Sequence, residues 1–206
     1  MQGSPQADPA FWVVALAASA GGLAALSHVL SGLPAEFPCP VLVVQHLDPH
    51  HRSWMAEILA RRVRLEVRQA QGGEIIRPSI IYIAPPDHHL LVTRQGVLSL
   101  SDAALVRYVR PSADLLFSSL AASFGAQVIA VVLSGTGRDG ADGVRDVKHE
   151  GGTVIAQDEA TSDFFGMPGE AIKTGAVDRV LPLAEIAAAL VALTLPVPTQ
   201  PAGEPS

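Results

Sequence analysis

A serine, a histidine and an aspartate follow three apolar, strand-like segments of this 206-residue chain, and together they could perform nucleophilic hydrolysis. Ser19 follows "WVVALAA", His46 ends "PVLVVQH", and Asp139 lies in the loop after "VIAVVLSG". A serine hydroxyl attacks well only when a base removes its proton, and a third group must fix the tautomer of that base. We therefore predict Ser19 as nucleophile, His46 as base and Asp139 as the group that orients the base.

The residues directly after Ser19 could stabilise the negative charge that develops in such a reaction. Ala20, Gly21 and Gly22 open a helical pattern, so their backbone N–H groups lack partners within the helix. Such N–H groups, with the positive end of the helix dipole, can bind an oxyanion. The stretch reads "AASAG" where a nucleophile elbow has G-x-S-x-G, and the chain order Ser, His, Asp differs from that of the α/β-hydrolases.

Each of these three residues also has a structural alternative. Ser19 could be an N-cap, His46 a hydrogen-bonded polar core residue, and Asp139 the cap of the next helix. The hydrolytic interpretation depends on their convergence on one edge of a sheet.

Two rival sites use overlapping residues. The stretch "HLDPHH", residues 46–51, holds three histidines and an aspartate, but Pro49 breaks the spacing and no partner histidines follow at a suitable distance. Gly21 and Gly22 could cradle a phosphate, but neither a Lys-Ser/Thr pair nor a G-x-G-x-x-G run accompanies them. We expect no metal and no organic cofactor.

Alternating strands and helices must position the candidate site. Strand-like segments are "WVVALAA", "PVLVVQH", "SIIYIAP", "QVIAVVLSG", "GTVIAQD" and "VDRVLPL", and helical patterns are "GGLAALSHVLSGL", "RSWMAEILARR", "SADLLFSSLAASFG", "GADGVRDVKHEG" and "LAEIAAALVALTL". This alternation predicts an α/β fold with a doubly wound, mostly parallel sheet and helices on both faces. In such a sheet, sites lie at the carboxyl ends of the strands.

Two segments carry more specific expectations about packing. Leu23, Leu26, Leu30 and Leu33 recur at three- and four-residue steps, which predicts that the first helix lies on the sheet. Residues 64–101 resemble hairpin material inserted into the α/β pattern, from "LEVRQA" through "IIYIAPPDHHLLVTRQG" to "VLSLS". We expect His88 and His89, at a turn of this insertion, to lie on the surface.

Composition bounds the class of protein and its partners. With 49% hydrophobic residues the chain can bury one full core, and a net charge of −6 offers no basic face for nucleic acid. The single cysteine, Cys39, is expected to be a buried thiol. No secretory signal or membrane-spanning run is visible, so we expect a cytoplasmic protein without membrane insertion.

The two ends of the chain are polar and rich in proline. Residues 1–10 and 195–206 bury too little apolar surface to order, so we predict two disordered tails around one domain of residues 11–194.

Taken together, the motifs resemble the catalytic domain of the chemotaxis protein-glutamate methylesterases, the CheB family. The matching segments run in family order over residues 12–190 and are "ASAGGLAAL", "VLVVQHLDPHH", "IIYIAPPDHHL", "RPSADLLFSSLA", "VIAVVLSGTGRDGADGV", "GGTVIAQDEATSDFFGMPGEAI" and "GAVDRVLPL". The resemblance implies the same roles for Ser19, His46 and Asp139. It also implies hydrolysis of glutamate γ-methyl esters on the cytoplasmic domains of chemoreceptors and, in many members, deamidation of receptor glutamines.

The sequence departs from the family pattern at two pocket positions. Ala20 stands where many members have threonine, and Thr136 stands where members usually have a methionine that would line the ester pocket. Arg110, in the family's Arg-Pro-Ser, could contact an acidic receptor helix or form a local ion pair.

Family members usually carry an N-terminal phosphoacceptor receiver domain, whereas about ten residues precede the first strand here. We therefore expect a stand-alone esterase, an excised domain, or control by a separate signalling protein. The alternative function is a non-catalytic module that docks a receptor or signalling partner, with Ala20 and Thr136 as signs of lost activity. Retention of Ser19, His46 and Asp139 favours the enzyme.

Overall fold

The computed structural model describes residues 11–46 and 53–194. The predicted tails, residues 1–10 and 195–206, and most of the "HLDPHH" stretch lie outside the described residues. None of the helices in the described part of the chain is long and apolar enough to cross a membrane.

Strands and helices alternate along most of the chain, as predicted. The strands are β1 (Val13–Ala18), β2 (Val41–Gln45), β3 (Glu66–Gln69), β4 (Ile80–Ile83), β5 (His89–Val92), β6 (Leu98–Ser101), β7 (Val128–Val132), β8 (Thr153–Gln157) and β9 (Arg179–Leu181). The α-helices are α1 (Gly22–Ser31), α2 (Met55–Ala60), α3 (Ala113–Phe124), α4 (Gly143–His149), α5 (Gly166–Lys173) and α6 (Leu183–Thr194).

A seven-stranded sheet in the order β3-β4-β2-β1-β7-β8-β9 forms the centre of the fold. All of its strand pairs are parallel. The chain moves outward from β1 through β2 to β3 at the edge, then places β4 between β3 and β2, and later pairs β7 on the other side of β1. The strand order therefore reverses at β1, and this is the place where open parallel sheets bind ligands.

Strand β1 is buried on both faces because helices cover both sides of the sheet. Its residues Val13, Ala15 and Ala17 belong to one hydrophobic core, which includes apolar side chains of α3. The alternate residues of β1 belong to a second core, which includes side chains of α1 and α6. Burial on both faces explains why the strand is a continuous apolar run rather than an alternating one.

Helix α1 lies on the sheet, as its leucine pattern predicts. Leu26 and Leu30 are fully buried, and Leu33 packs in the same core just beyond the helix end. Leu23, at the start of the helix, is 36% exposed and is the one leucine of the predicted stripe that does not pack inside.

The prediction of a hairpin insertion over residues 64–101 was wrong for its first half. The "LEVRQA" segment forms β3, which pairs in parallel with β4 at the edge of the main sheet. Only β5 and β6 form an antiparallel hairpin. Strand β3 alternates apolar and polar residues because it is an edge strand with exposed Glu66 and Arg68, and this alternation is also typical of a hairpin strand.

His89 was expected on the surface, but it is 0% exposed. Its Nδ1 accepts a hydrogen bond from the Ser112 N–H at 3.1 Å, so the ring proton lies on Nε2, which donates to the Ala104 carbonyl at 3.2 Å. This histidine therefore fixes Ser112, the N-cap residue of α3.

Cys39 is buried, as predicted, and we expect it to be unreactive in the folded protein. Burial raises the pKa of its thiol to about 11, against a smaller opposing effect of a hydrogen bond with Thr194. Little of this thiol is therefore in the reactive thiolate form at neutral pH, and Cys39 is only 1% exposed. Ellman's reagent should label Cys39 only after denaturant is added. Rapid labelling of the native protein would contradict this buried environment.

Candidate active site

Ser19 lies at the carboxyl end of β1, in the turn that leads into α1. Its N–H donates to the Ser134 carbonyl at 3.0 Å, and its own carbonyl accepts the Gly22 N–H at 2.8 Å. Gly21, the N-cap of α1, has a φ of 73°, a left-handed conformation that favours glycine. The turn is therefore held by backbone bonds, which leaves the serine hydroxyl available for chemistry.

The N–H groups of Ala20, Gly21 and Gly22 differ in availability. Because the Gly22 N–H already donates to the Ser19 carbonyl, it is a poor candidate for binding an oxyanion. Within the described residues, the N–H groups of Ala20 and Gly21 donate no hydrogen bond. These two groups can therefore serve as oxyanion donors.

Gln45, which sequence reasoning missed, joins the serine turn to the histidine. Its side-chain Nε2 donates to the Ser19 carbonyl at 2.7 Å and to the His46 carbonyl at 3.1 Å, and the residue is 6% exposed. The only signal in the sequence is a polar residue that interrupts an apolar strand directly before His46. Gln45 fixes the distance between two backbone segments that carry candidate catalytic groups.

Replacing Gly22 by alanine is expected to break this connection. A Cβ at position 22 would lie 2.1 Å from the Gln45 Oε1 and 2.7 Å from the Ala18 Cβ, so the buried amide would have to move. We expect a loss of about 1–3 kcal/mol in stability and, since misplacement of reacting groups is costly, a fall of about 10- to 100-fold in kcat. Thermal unfolding and kinetics with an ester substrate would measure both effects.

Gly72→Ala is the matched control, because its Cβ would meet only the Leu100 backbone N at 3.9 Å. Equal behaviour of the two variants would show that the Gln45 connection does not position the site.

His46 and Asp139 form a hydrogen-bonded pair across the sheet edge. The His46 Nε2 lies 2.8 Å from the Asp139 Oδ2. Because a carboxylate only accepts, Nε2 carries the ring proton and Nδ1 carries the lone pair that can act as a base. No hydrogen bond joins the Ser19 hydroxyl to His46 in the described part of the structure, and in enzymes such contacts often tighten only when substrate binds.

The Asp139 carboxylate, 3% exposed, is seated at the N-terminus of α3. It accepts hydrogen bonds from the Ser112 hydroxyl at 2.7 Å, the Ala113 N–H at 2.6 Å and the Asp114 N–H at 3.2 Å. Burial would raise its pKa, but hydrogen bonds from His46, Ala113 and Ser112 outweigh burial and hold the pKa of Asp139 below the usual carboxyl range. Asp139 is therefore an anion at neutral pH.

Asp114, also missed from the sequence, holds the loop that follows Asp139. Its Oδ1 accepts the N–H groups of Gly140, Asp142 and Gly143, each at 2.9 Å. Burial raises the pKa of Asp114, and the charge of Asp139 adds to the rise against the hydrogen bonds to this carboxylate. Helix α3 thus holds Asp139 through its N-terminal N–H groups, and it holds the loop after Asp139 through the Asp114 side chain.

A cleft of about 520 Å³ opens at this edge of the sheet. Its lining brings together four sequence-predicted residues, Ser19, His46, Asp139 and Thr136. The remaining lining residues are Arg107, Tyr108, Val109, Gly137 and Arg138. Ala20, Gly21 and Gly22 form the turn directly after Ser19 and are not part of this lining.

Two alternatives raised by the sequence can be placed in the structure. Arg110 makes local contacts, donating to Asp87 at 2.9 Å and to the Asp102 carbonyl at 2.7 Å, as the ion-pair alternative predicts. The rival metal cluster of residues 46–51 falls mostly outside the described residues. Within residues 11–46 and 53–194, no group of three or more histidine, cysteine or acidic side chains could hold a metal ion.

Comparison with known proteins gives matches over most of the chain. Residues 14–190 match the family model of the CheB methylesterase. A protein-glutamate methylesterase/protein-glutamine glutaminase 2 of Anaeromyxobacter dehalogenans is 49% identical over 182 residues, which cover 88% of this chain and 53% of the relative. The protein-glutamate methylesterase FrzG of Myxococcus xanthus is 43% identical over 182 residues, or 88% and 54% of the two chains.

The fold also matches a solved structure. The crystal structure of the Thermotoga maritima CheB methylesterase catalytic domain superposes with a TM-score of 0.87 at 37% identity, covering 90% of this chain and 100% of that one. The chain spans about half the length of the curated relatives it matches.

Proposed function

The chain belongs to the CheB methylesterase family, and from this premise we propose that it hydrolyses glutamate γ-methyl esters on the cytoplasmic domains of chemoreceptors. The observation that carries the proposal is the hydrogen bond between His46 and the buried Asp139, two residues that line one cleft with Ser19. A base oriented by an anion beside a serine is the arrangement that acyl transfer requires.

The proposed reaction begins with attack of the Ser19 Oγ on the ester carbonyl carbon, while the His46 Nδ1 takes the hydroxyl proton. The Asp139 carboxylate stabilises the imidazolium, and the N–H groups of Ala20 and Gly21 bind the oxyanion. Collapse of the tetrahedral intermediate breaks the bond to the methoxy group, which leaves as methanol with the proton from His46. Water, deprotonated by His46, then releases the glutamate carboxylate and restores Ser19.

Deamidation is proposed as a second activity of the same site. A glutamine side chain would pass through the same tetrahedral intermediate and release ammonia instead of methanol. This proposal is supported by the glutaminase names of several relatives, including that of Anaeromyxobacter dehalogenans.

The proposed substrate determines the partners and the location. Because the proposed substrate is a receptor cytoplasmic domain, we propose a cytoplasmic location, and we propose a separate signalling protein as a regulatory partner.

Methanol release from a methylated receptor fragment tests the function, with Ser19→Ala as control. Release by the native chain that disappears in the variant would support the esterase. Tight binding of the fragment without release by the native chain would instead support the docking module.

A further inference from the structure

A turn at the cleft has an unusual backbone conformation. Val106 and Val109 pair across it, with the Val106 N–H 3.2 Å from the Val109 carbonyl and the Val109 N–H 2.9 Å from the Val106 carbonyl. Between them, Arg107 has a φ of 50° and Tyr108 a φ of 68°. Turns of this kind favour asparagine and glycine, so two consecutive larger side chains in the left-handed region are strained.

Arg107 anchors the turn to the framework of the site. Its Nε donates to the Asp114 Oδ2 at 3.1 Å, and its terminal nitrogen pairs with Asp142. Asp114 also holds the loop after Asp139. The contacts of the Arg107 side chain therefore account for the positive φ of Arg107. They do not account for the positive φ of Tyr108.

Tyr108 lines the cleft that contains Ser19, yet it is 94% exposed. The fold gains almost no burial from this ring, and glycine or asparagine would relieve the backbone strain. Leu105, one residue before the turn, is also exposed, so the segment that carries Tyr108 presents a second apolar side chain to solvent. Tyrosine suits such a surface because it offers a rigid ring with little conformational freedom to lose.

We propose that Tyr108 is a specificity residue that contacts the polypeptide bearing the ester, packing its ring against the substrate segment beside the reacting glutamate. The proposal rests on the methylesterase function given above. The continuity of the ring with the cleft around Ser19 favours the substrate chain as its occupant. A small ester would fill the cleft near Ser19 without needing this contact.

Tyr108→Gly separates recognition from stability, because glycine removes the ring and relieves the positive φ. We expect kcat/KM for a methylated receptor fragment to fall about 10-fold or more, mainly through KM. We expect labelling by a fluorophosphonate probe, which needs only an activated serine, to fall far less than kcat/KM for the fragment, and we expect a melting temperature equal to or above that of the native chain. Tyr108→Asn should behave alike, and Tyr108→Phe should retain activity.

Ile75→Ala is the control, since Ile75 is 59% exposed and lies outside the cleft lining. Native kcat/KM in Tyr108→Gly, or equal losses on the fragment and the probe, would overturn the proposal. If the native chain releases no methanol, the methylesterase function fails by itself. The affinities of the native and Tyr108→Gly proteins for the same fragment would then test whether Tyr108 contacts the polypeptide. Equal affinities would refute that contact.

Discussion

Replacing Ser19 by alanine is expected to lower kcat for ester hydrolysis by about 10⁴-fold or more. The variant removes the atom that would form the acyl-enzyme, so only binding and the oxyanion donors would remain. The structure makes this a clean experiment, because the turn is held by the N–H and carbonyl of Ser19 and not by its hydroxyl. The melting temperature should therefore stay close to that of the native chain.

His46→Ala should produce a loss of similar size, because the hydroxyl would then lack its base. The double variant should be little worse than either single one, since residues that act as a unit have non-additive effects. Rates of methanol release and of fluorophosphonate labelling would be compared between the native chain, the two single variants and the double variant. A native rate of methanol release in Ser19→Ala would refute the role of Ser19 as nucleophile. If the loss in the double variant equalled the product of the two single losses, Ser19 and His46 would not act in the same step.

Asp139→Asn is expected to lower kcat by a smaller but still large factor, about 10²- to 10⁴-fold. The Ser112 hydroxyl and the Asp114 N–H donate to Oδ1, whereas the Ala113 N–H and His46 share Oδ2. An asparagine that keeps its oxygen at the Oδ1 position presents its NH₂ group to His46 and leaves the Ala113 N–H without an acceptor. The imidazole would then accept at Nε2 and carry its proton on Nδ1, the wrong tautomer for a base.

The same variant should be less stable, and the difference should depend on pH. Because the pKa of Asp139 is depressed in the folded state, its ionised form stabilises the fold above the usual carboxyl pKa. That contribution disappears as the pH falls through the depressed value. The stability gap between native and Asp139→Asn protein should thus be largest at neutral pH and shrink as the pH falls below the usual carboxyl pKa. Denaturant unfolding at several pH values would measure it, and a gap that widened in acid would contradict the pairing.

The sequence was sufficient for the central strands and for the polar residues at their ends. Strands β1, β2 and β7 are short, continuous apolar runs, and a parallel sheet must bury such runs on both faces. Carboxyl ends of neighbouring parallel strands share one edge, so Ser19, His46 and Asp139 could be expected together.

Other features depended on contacts that periodicity does not encode. Strand β3 was misassigned because an edge strand and a hairpin strand share one alternation. His89 was misplaced because its burial depends on partners from residues 104 and 112, distant in sequence. Helix α5 was missed because Pro168 and Gly169 interrupt its pattern, although proline fits the first turn of a helix.

The division of β1 between two hydrophobic cores bears on how the protein would lose its activity. Alternate residues of this strand complete both cores, so neither layer of helices can detach without exposing apolar surface of the strand that ends at Ser19. Regions of low local stability usually have few buried apolar contacts, and β1 is at the opposite extreme. We therefore expect the strand that precedes Ser19 to open only in cooperative global unfolding.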